Sequence, residues 1–142
     1  MIDNNEIREN LAYEASLLID TKWQFNQSNK WGIDCLRFWE KVVTNAGIYV
    51  PPLPEKYGRG ETLDRIKDFL TTNYTLTEDI YLGNLLLFNW RGTPHMGMVY
   101  YNELPNDDSI CFIHASYSAK KVVVNRLNNH FKNKLNSVYQ LF

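Results

Sequence analysis

Apolar positions recur at helical spacing near the start of the chain. Ile7, Leu11, Ala15, Leu18 and Ile19 fall on one face. Asp3 or Asn4 is positioned to cap this helix, and Asp20-Thr21 to end it. Residues 21–33 are polar and aromatic without a period, and read as a long loop of the kind that lines a site. A second helical pattern runs from Asp34 to Asn45 through Leu36, Phe38, Trp39, Val42 and Val43. Asp34 is its expected N-cap and Gly47 its C′ residue. Residues 48–60 hold three prolines and two glycines and read as extended loop. Residues 62–73 predict a third helix, with Leu63, Ile66, Phe69 and Leu70 on one face.

From residue 80 the period changes to that of strands. Leu85–Trp90, Met96–Tyr101, Ile110–His114, Lys121–Arg126 and Ser137–Phe142 read as strands, and Asn128–Lys134 as a short helix. Residues 102–108 form the predicted hairpin loop, and Gly92 is a turn glycine. Helices followed by an antiparallel meander predict an α+β fold, N-terminal helices packed on an antiparallel sheet.

Composition narrows the function classes. The chain has 142 residues, enough for one domain spanning 1–142 that buries a core without disulfides or metal. A net charge of −1 gives no electrostatic case for nucleic acid or an anionic membrane. No apolar run is long enough for membrane insertion. The polar start MIDNNEIREN is not a secretory signal, so synthesis in the cytoplasm is expected. Cys35 and Cys111 are expected to remain unpaired, with Cys111 in the core. No cofactor is expected.

The chemistry lies in three segments. Cys35 follows Gly32-Ile33-Asp34 at a helix start, and His95 and His114 sit on predicted strands. A helix dipole and an adjacent imidazolium both lower a thiol pKa, so an activated thiolate at Cys35 is expected. If the hairpin loop centres between Leu104 and Pro105, Met96 faces Ile113 and His95 faces His114. One histidine then acts as base to Cys35 while the other fixes its tautomer. The spacing matches no zinc-ligand motif, so no metal is expected. His130 reads as a surface residue of the tail helix. Trp23 and Trp31 are placed to line a substrate groove ahead of Cys35.

Several of these motifs resemble one family. Gly32-Ile33-Asp34-Cys35 resembles the Asp-Cys nucleophile motif of NlpC-type cell-wall cysteine peptidases. Gly83-Asn84-Leu85-Leu86-Leu87-Phe88 is similar to their Gly-Asp-(apolar)-Phe strand. Pro94-His95-Met96-Gly97-Met98-Val99 is similar to their His-x-Gly motif, and Ile113-His114-Ala115 to their Ile-His-Ala motif. Order and spacing agree over residues 10–127. The Pro51-Pro52-Leu53-Pro54 loop looks closest to the phage-tail and phage-like branch.

The resemblance implies a papain-like α+β fold and hydrolysis of an amide in peptidoglycan stem peptides, commonly from γ-D-glutamyl to the diamino acid. It makes Cys35 the nucleophile, His95 the general base and acid, and His114 the orienter. It gives Asp34 a contact to the amino end of the stem peptide, alongside its capping role. It also implies delivery to the wall by phage-tail or secretion-apparatus proteins. Leu36-Arg37 replaces the usual Ser-Gly, Asn84 the usual Asp, and Trp23 an upstream Tyr. Three alternatives stay open. One is an amidase or acyltransferase on another substrate. The others are a catalytically idle structural module of a phage-tail-like particle and a delivered antibacterial effector.

Overall fold

A computed structural model of the chain describes residues 3–24, 28–29, 32–52, 63–101 and 109–142. The predicted 102–108 hairpin loop, most of the proline-rich loop and Trp31 lie outside the described residues.

Helix α1 spans Asn4–Ser16 and starts where a short acceptor is available. Asp3 is the N-cap, and its Oδ1 accepts the Glu6 N–H at 2.8 Å. The helix buries Leu11, Ala12 and Ala15. It stops earlier than the expected Asp20 end, because residues 17–20 form turns that finish with Asp20 at φ 70°. The loop expected over 21–33 is partly ordered. Asp20 and Trp23 donate to Val122 and Lys120 carbonyls at 3.0 and 2.9 Å, and Val122 donates back to Thr21 at 2.9 Å. Two short strands follow, β1 (Ser28–Asn29) and β2 (Gly32–Ile33), paired antiparallel.

Helix α2 spans Cys35–Asn45 and buries Leu36, Phe38, Trp39, Val42 and Val43. Its N-cap is Asp34, whose Oδ1 accepts the Arg37 N–H at 2.8 Å. A cap of this kind contributes about 1 kcal/mol. The helix ends in a Schellman arrangement. Gly47 at φ +85° donates to Thr44 O at 3.0 Å, and Ile48 to Val43 O at 3.1 Å. Helix α3 spans Leu63–Asn73 and buries Ile66 and Leu70.

The strands are β3 (Thr75–Thr77), β4 (Leu85–Trp90), β5 (Thr93–Tyr100), β6 (Cys111–Ser116), β7 (Lys121–Arg126) and β8 (Leu135–Gln140). Helix α4, Asn129–Lys132, precedes β8. The strands form one antiparallel sheet in the order β3-β8-β4-β5-β6-β7. Strand β3 is a three-residue edge, Thr-Leu-Thr, too short for its pattern to mark it in the sequence. Trp90 and Thr93 flank a two-residue turn in which Arg91 and Gly92 have φ of 55° and 84°, the primed geometry that tight hairpins favour.

Alternation divides the apolar residues between two faces. Leu85, Leu87, Met96, Met98, Ile113, Ala115 and Tyr139 meet α1, α2 and α3. Leu86, Phe88, Val99, Phe112, Leu127 and Val138 form a second cluster on the other face, against Phe131 of α4, Trp90 and Leu135. Cys111 is buried and forms no disulfide, in the core position expected of it.

The β5–β6 register differs from the expected one. Met98 pairs with Ile113 and Val99 with Phe112, two residues from the pairing that would set His95 against His114. The loop centre inferred from the turn residues was two residues off in the pairing sum. An even shift preserves the face of every side chain, so both histidines still point the same way.

Asn84, the departure in the Gly-Asp position, is fully buried. Its Oδ1 accepts from Arg8 of α1 at 2.8 Å and its Nδ2 donates to Asp79 O at 2.8 Å. An aspartate could accept from Arg8 but could not make the donation. Asn84→Ala would leave both partners short of a bond. The expected loss is about 1–3 kcal/mol of unfolding free energy, read from denaturant titration.

Candidate active site

Cys35 is the first residue of α2, where the helix leaves its first N–H groups without intrahelical partners. The backbones of Met96, of Leu36 and of Cys35 itself each act to lower the thiol pKa. Met96 directly follows His95 on β5, the strand against which α2 packs. His95 Nε2 lies 2.7 Å from His114 Nδ1 on β6, with the rings edge-on at 84°. His114 Nε2 in turn lies 2.7 Å from Asn125 Oδ1 on β7. The two histidines read from the sequence thus meet each other and Asn125, while Cys35 heads the helix packed against β5.

The surroundings of the imidazoles are aromatic. Phe88 and Trp90 stand 6.0 and 5.5 Å from His95, and Phe112 stacks obliquely on His114 at 4.5 Å. Gly97 explains the glycine of the His-x-Gly motif in packing terms. A Cβ there would come within 2.8 Å of Phe112 Cδ2, driving that ring toward His114. With Met98 opposite Ile113, the same register continued one residue sets Gly97 across from His114 and leaves His95 on the diagonal.

The electrostatics correct one expectation. Burial pushes the Cys35 thiol up to about 12; the Met96 N–H opposes the rise and the Asp34 carboxylate adds to it. Burial, followed by the neighbouring His114, holds His95 down to about 3. Burial also lowers His114, against the bond to Asn125. Cys35 and His95 retain some exposed surface, yet all three shifts favour the uncharged form. Burial thus favours a thiol and neutral imidazoles over the thiolate expected beside an imidazolium, because the pocket that gathers the groups also desolvates them.

Asp34 is 2% exposed and occupied as the α2 cap. Trp23 packs edge-on against Tyr117 at 5.0 Å, at the β7 side of the sheet. Trp31 lies outside the described residues. His130 is exposed, 6.1 Å from the Trp90 ring. Asn125 escaped the sequence reading; its only signal is a polar amide in the strand Lys121-Val122-Val123-Val124-Asn125-Arg126. Among the described residues no group of three or more His, Cys, Asp or Glu side chains is spaced to hold a metal ion, and no helix is long and apolar enough to cross a membrane.

Helices packed on one antiparallel sheet in this order give a papain-like α+β fold, like that of NlpC/P60 proteins of known structure. NlpC1 from Trichomonas vaginalis superposes with a TM-score of 0.69 at 20% identity, over 99% of this chain and 46% of that one. An N-acetylmuramoyl-L-alanine amidase from Bacteroides uniformis gives 0.65 at 16% identity, over 94% of this chain and 97% of that one. The NlpC/p60 domain of the peptidoglycan hydrolase SagA gives 0.60 at 16% identity, with coverage of 94% and 97%. This chain spans less than half the length of NlpC1 and 40% of an NlpC/P60 family protein from Bacillus cereus. No protein-family model matches the sequence, and no curated protein does. At these identities the similarity is one of fold.

Proposed function

We propose that this chain is a cysteine hydrolase that cleaves amide bonds in peptidoglycan stem peptides through Cys35, His95 and His114. The observation that carries the reading is the 2.7 Å contact between the His95 and His114 imidazoles on adjacent strands, with Cys35 at the head of a helix and its thiol influenced by the backbone of the neighbouring Met96. The similarity in fold to a peptidoglycan hydrolase and to an N-acetylmuramoyl-L-alanine amidase supports the substrate class.

The reaction follows from the neutral resting site. Substrate arrives, and the Cys35 proton passes to His95 as sulfur attacks the carbonyl carbon. Backbone N–H groups at the α2 start are the donors available to the developing oxyanion. The imidazolium of His95 then protonates the leaving amine as the C–N bond breaks, leaving a thioester on Cys35. His95 next takes a proton from water as the water oxygen attacks the thioester carbonyl, the C–S bond breaks, His95 returns that proton to the Cys35 sulfur, and the peptide acid leaves and ionises. Asp34, Trp23 and Trp31 are the substrate-contact candidates. Delivery by a phage-like or secretion apparatus rests on the Pro51-Pro52-Leu53-Pro54 resemblance.

The elevated Cys35 pKa favours the second reading, an idle structural module. Digestion of defined muropeptides, followed by mass spectrometry, separates the two. Stem-peptide fragments with a new amine and a new carboxylate are expected. A cut between muramic acid and the first alanine would instead indicate an amidase. An unchanged muropeptide set would sink the hydrolase reading.

A further inference from the structure

Asn125 ends the chain of contacts that begins at His95 and takes no step in the reaction above. It is opposite Phe112 in the β6–β7 pairing, on the same face as His114, in a valine run where asparagine is a poor strand former. Its neighbours explain the position as little as its propensity does. The hydrogen-bond directions give it a role.

A carboxamide oxygen can only accept, so the proton between Asn125 Oδ1 and His114 Nε2 belongs to the histidine. A neutral imidazole carries one N–H, so His114 Nδ1 is then a bare acceptor. The hydrogen in the 2.7 Å contact between the rings therefore sits on His95 Nε2. That leaves His95 Nδ1 with a lone pair and no proton, the form a general base requires. Turning the Asn125 amide over would reverse every bond. Nδ2 would donate to His114 Nε2, His114 Nδ1 would donate to His95 Nε2, and the proton would sit on His95 Nδ1.

We propose that Asn125 is a positioning residue that sets the tautomer of both histidines, keeping His95 Nδ1 open to receive the Cys35 proton. The proposal rests on the cysteine-hydrolase reading for its purpose, but the tautomers can be read without turnover.

The test is nitrogen-15 NMR of the imidazoles, in the parent protein and in the Cys35→Ala background, with variants at 125. Both rings are expected in the Nε2–H form with Asn125, and also with Asn125→Asp, which keeps an acceptor-only oxygen. Asn125→Leu is expected to mix the tautomers and lower kcat by about tenfold at similar KM, a part of the roughly 10²–10⁴ that general-base catalysis contributes. Asn125→Asp should restore the spectral signature where Asn125→Leu loses it. His95 found as the Nδ1–H form in the parent protein would overturn the proposal, as would unchanged tautomers and kcat in Asn125→Leu. Spectra as expected in a protein that cleaves no muropeptide would overturn the hydrolase reading and leave the tautomer chain standing.

Discussion

Cys35→Ala is expected to leave a folded protein with muropeptide cleavage reduced by roughly 10⁴-fold or more. The sulfur is the one nucleophile at the head of α2, and its removal deletes the covalent route altogether. Alanine is a good helix former, and Asp34 still caps the helix through the Arg37 N–H. The far-ultraviolet circular dichroism and unfolding midpoint should therefore stay close to those of the parent. Activity would be followed by mass spectrometry of released peptides. Parent-like turnover in Cys35→Ala would remove the thiol from the mechanism and return the chain to the idle-module reading.

The second large effect is at His95. His95→Ala should lower kcat by roughly 10²–10⁴-fold, the range for loss of a positioned general base. The substitution also strands His114 Nδ1, which now bonds His95 at 2.7 Å. His95→Gln provides a companion that keeps a side-chain polar group and separates lost chemistry from lost folding. His114→Ala serves as the contrast. It removes orientation and not the base, so its kcat should fall less far. An equal fall in both would exchange the roles of the two rings.

The readability of this chain varied with the range of the forces involved. Asp34 capping α2, Gly47 ending it and the Arg91-Gly92 turn are local events, and residue type decides them. The α+β arrangement was equally legible, because the change from helical to strand period near residue 80 marks the layers. Register was less so. The β5–β6 pairing lies two residues from the expected one, yet His95 and His114 keep a common face because side chains alternate in twos. The strand at Thr75–Thr77 exists only because β8 offers it a partner. The bridge from Lys22 to Lys121 is likewise a product of tertiary contact. The thiol pKa was misjudged because a helix dipole can be read from sequence while the desolvation that outweighs it cannot. Asn125 was invisible for a related reason. Its partner is a ring on another strand, and no spacing within the sequence records that meeting.

The position of β8 in the sheet bears on when the site matures. Residues 135–140 slot between β3 and β4, one strand away from β5 and its histidine. A chain still on the ribosome, or one clipped before this segment, has β4 bare along one edge and β3 unattached. Such a chain carries the sulfur and both rings but lacks the wall that holds their strands in line. The sheet around β4 is thus completed only after residues 135–140 have been made, later in synthesis than the sulfur and both rings.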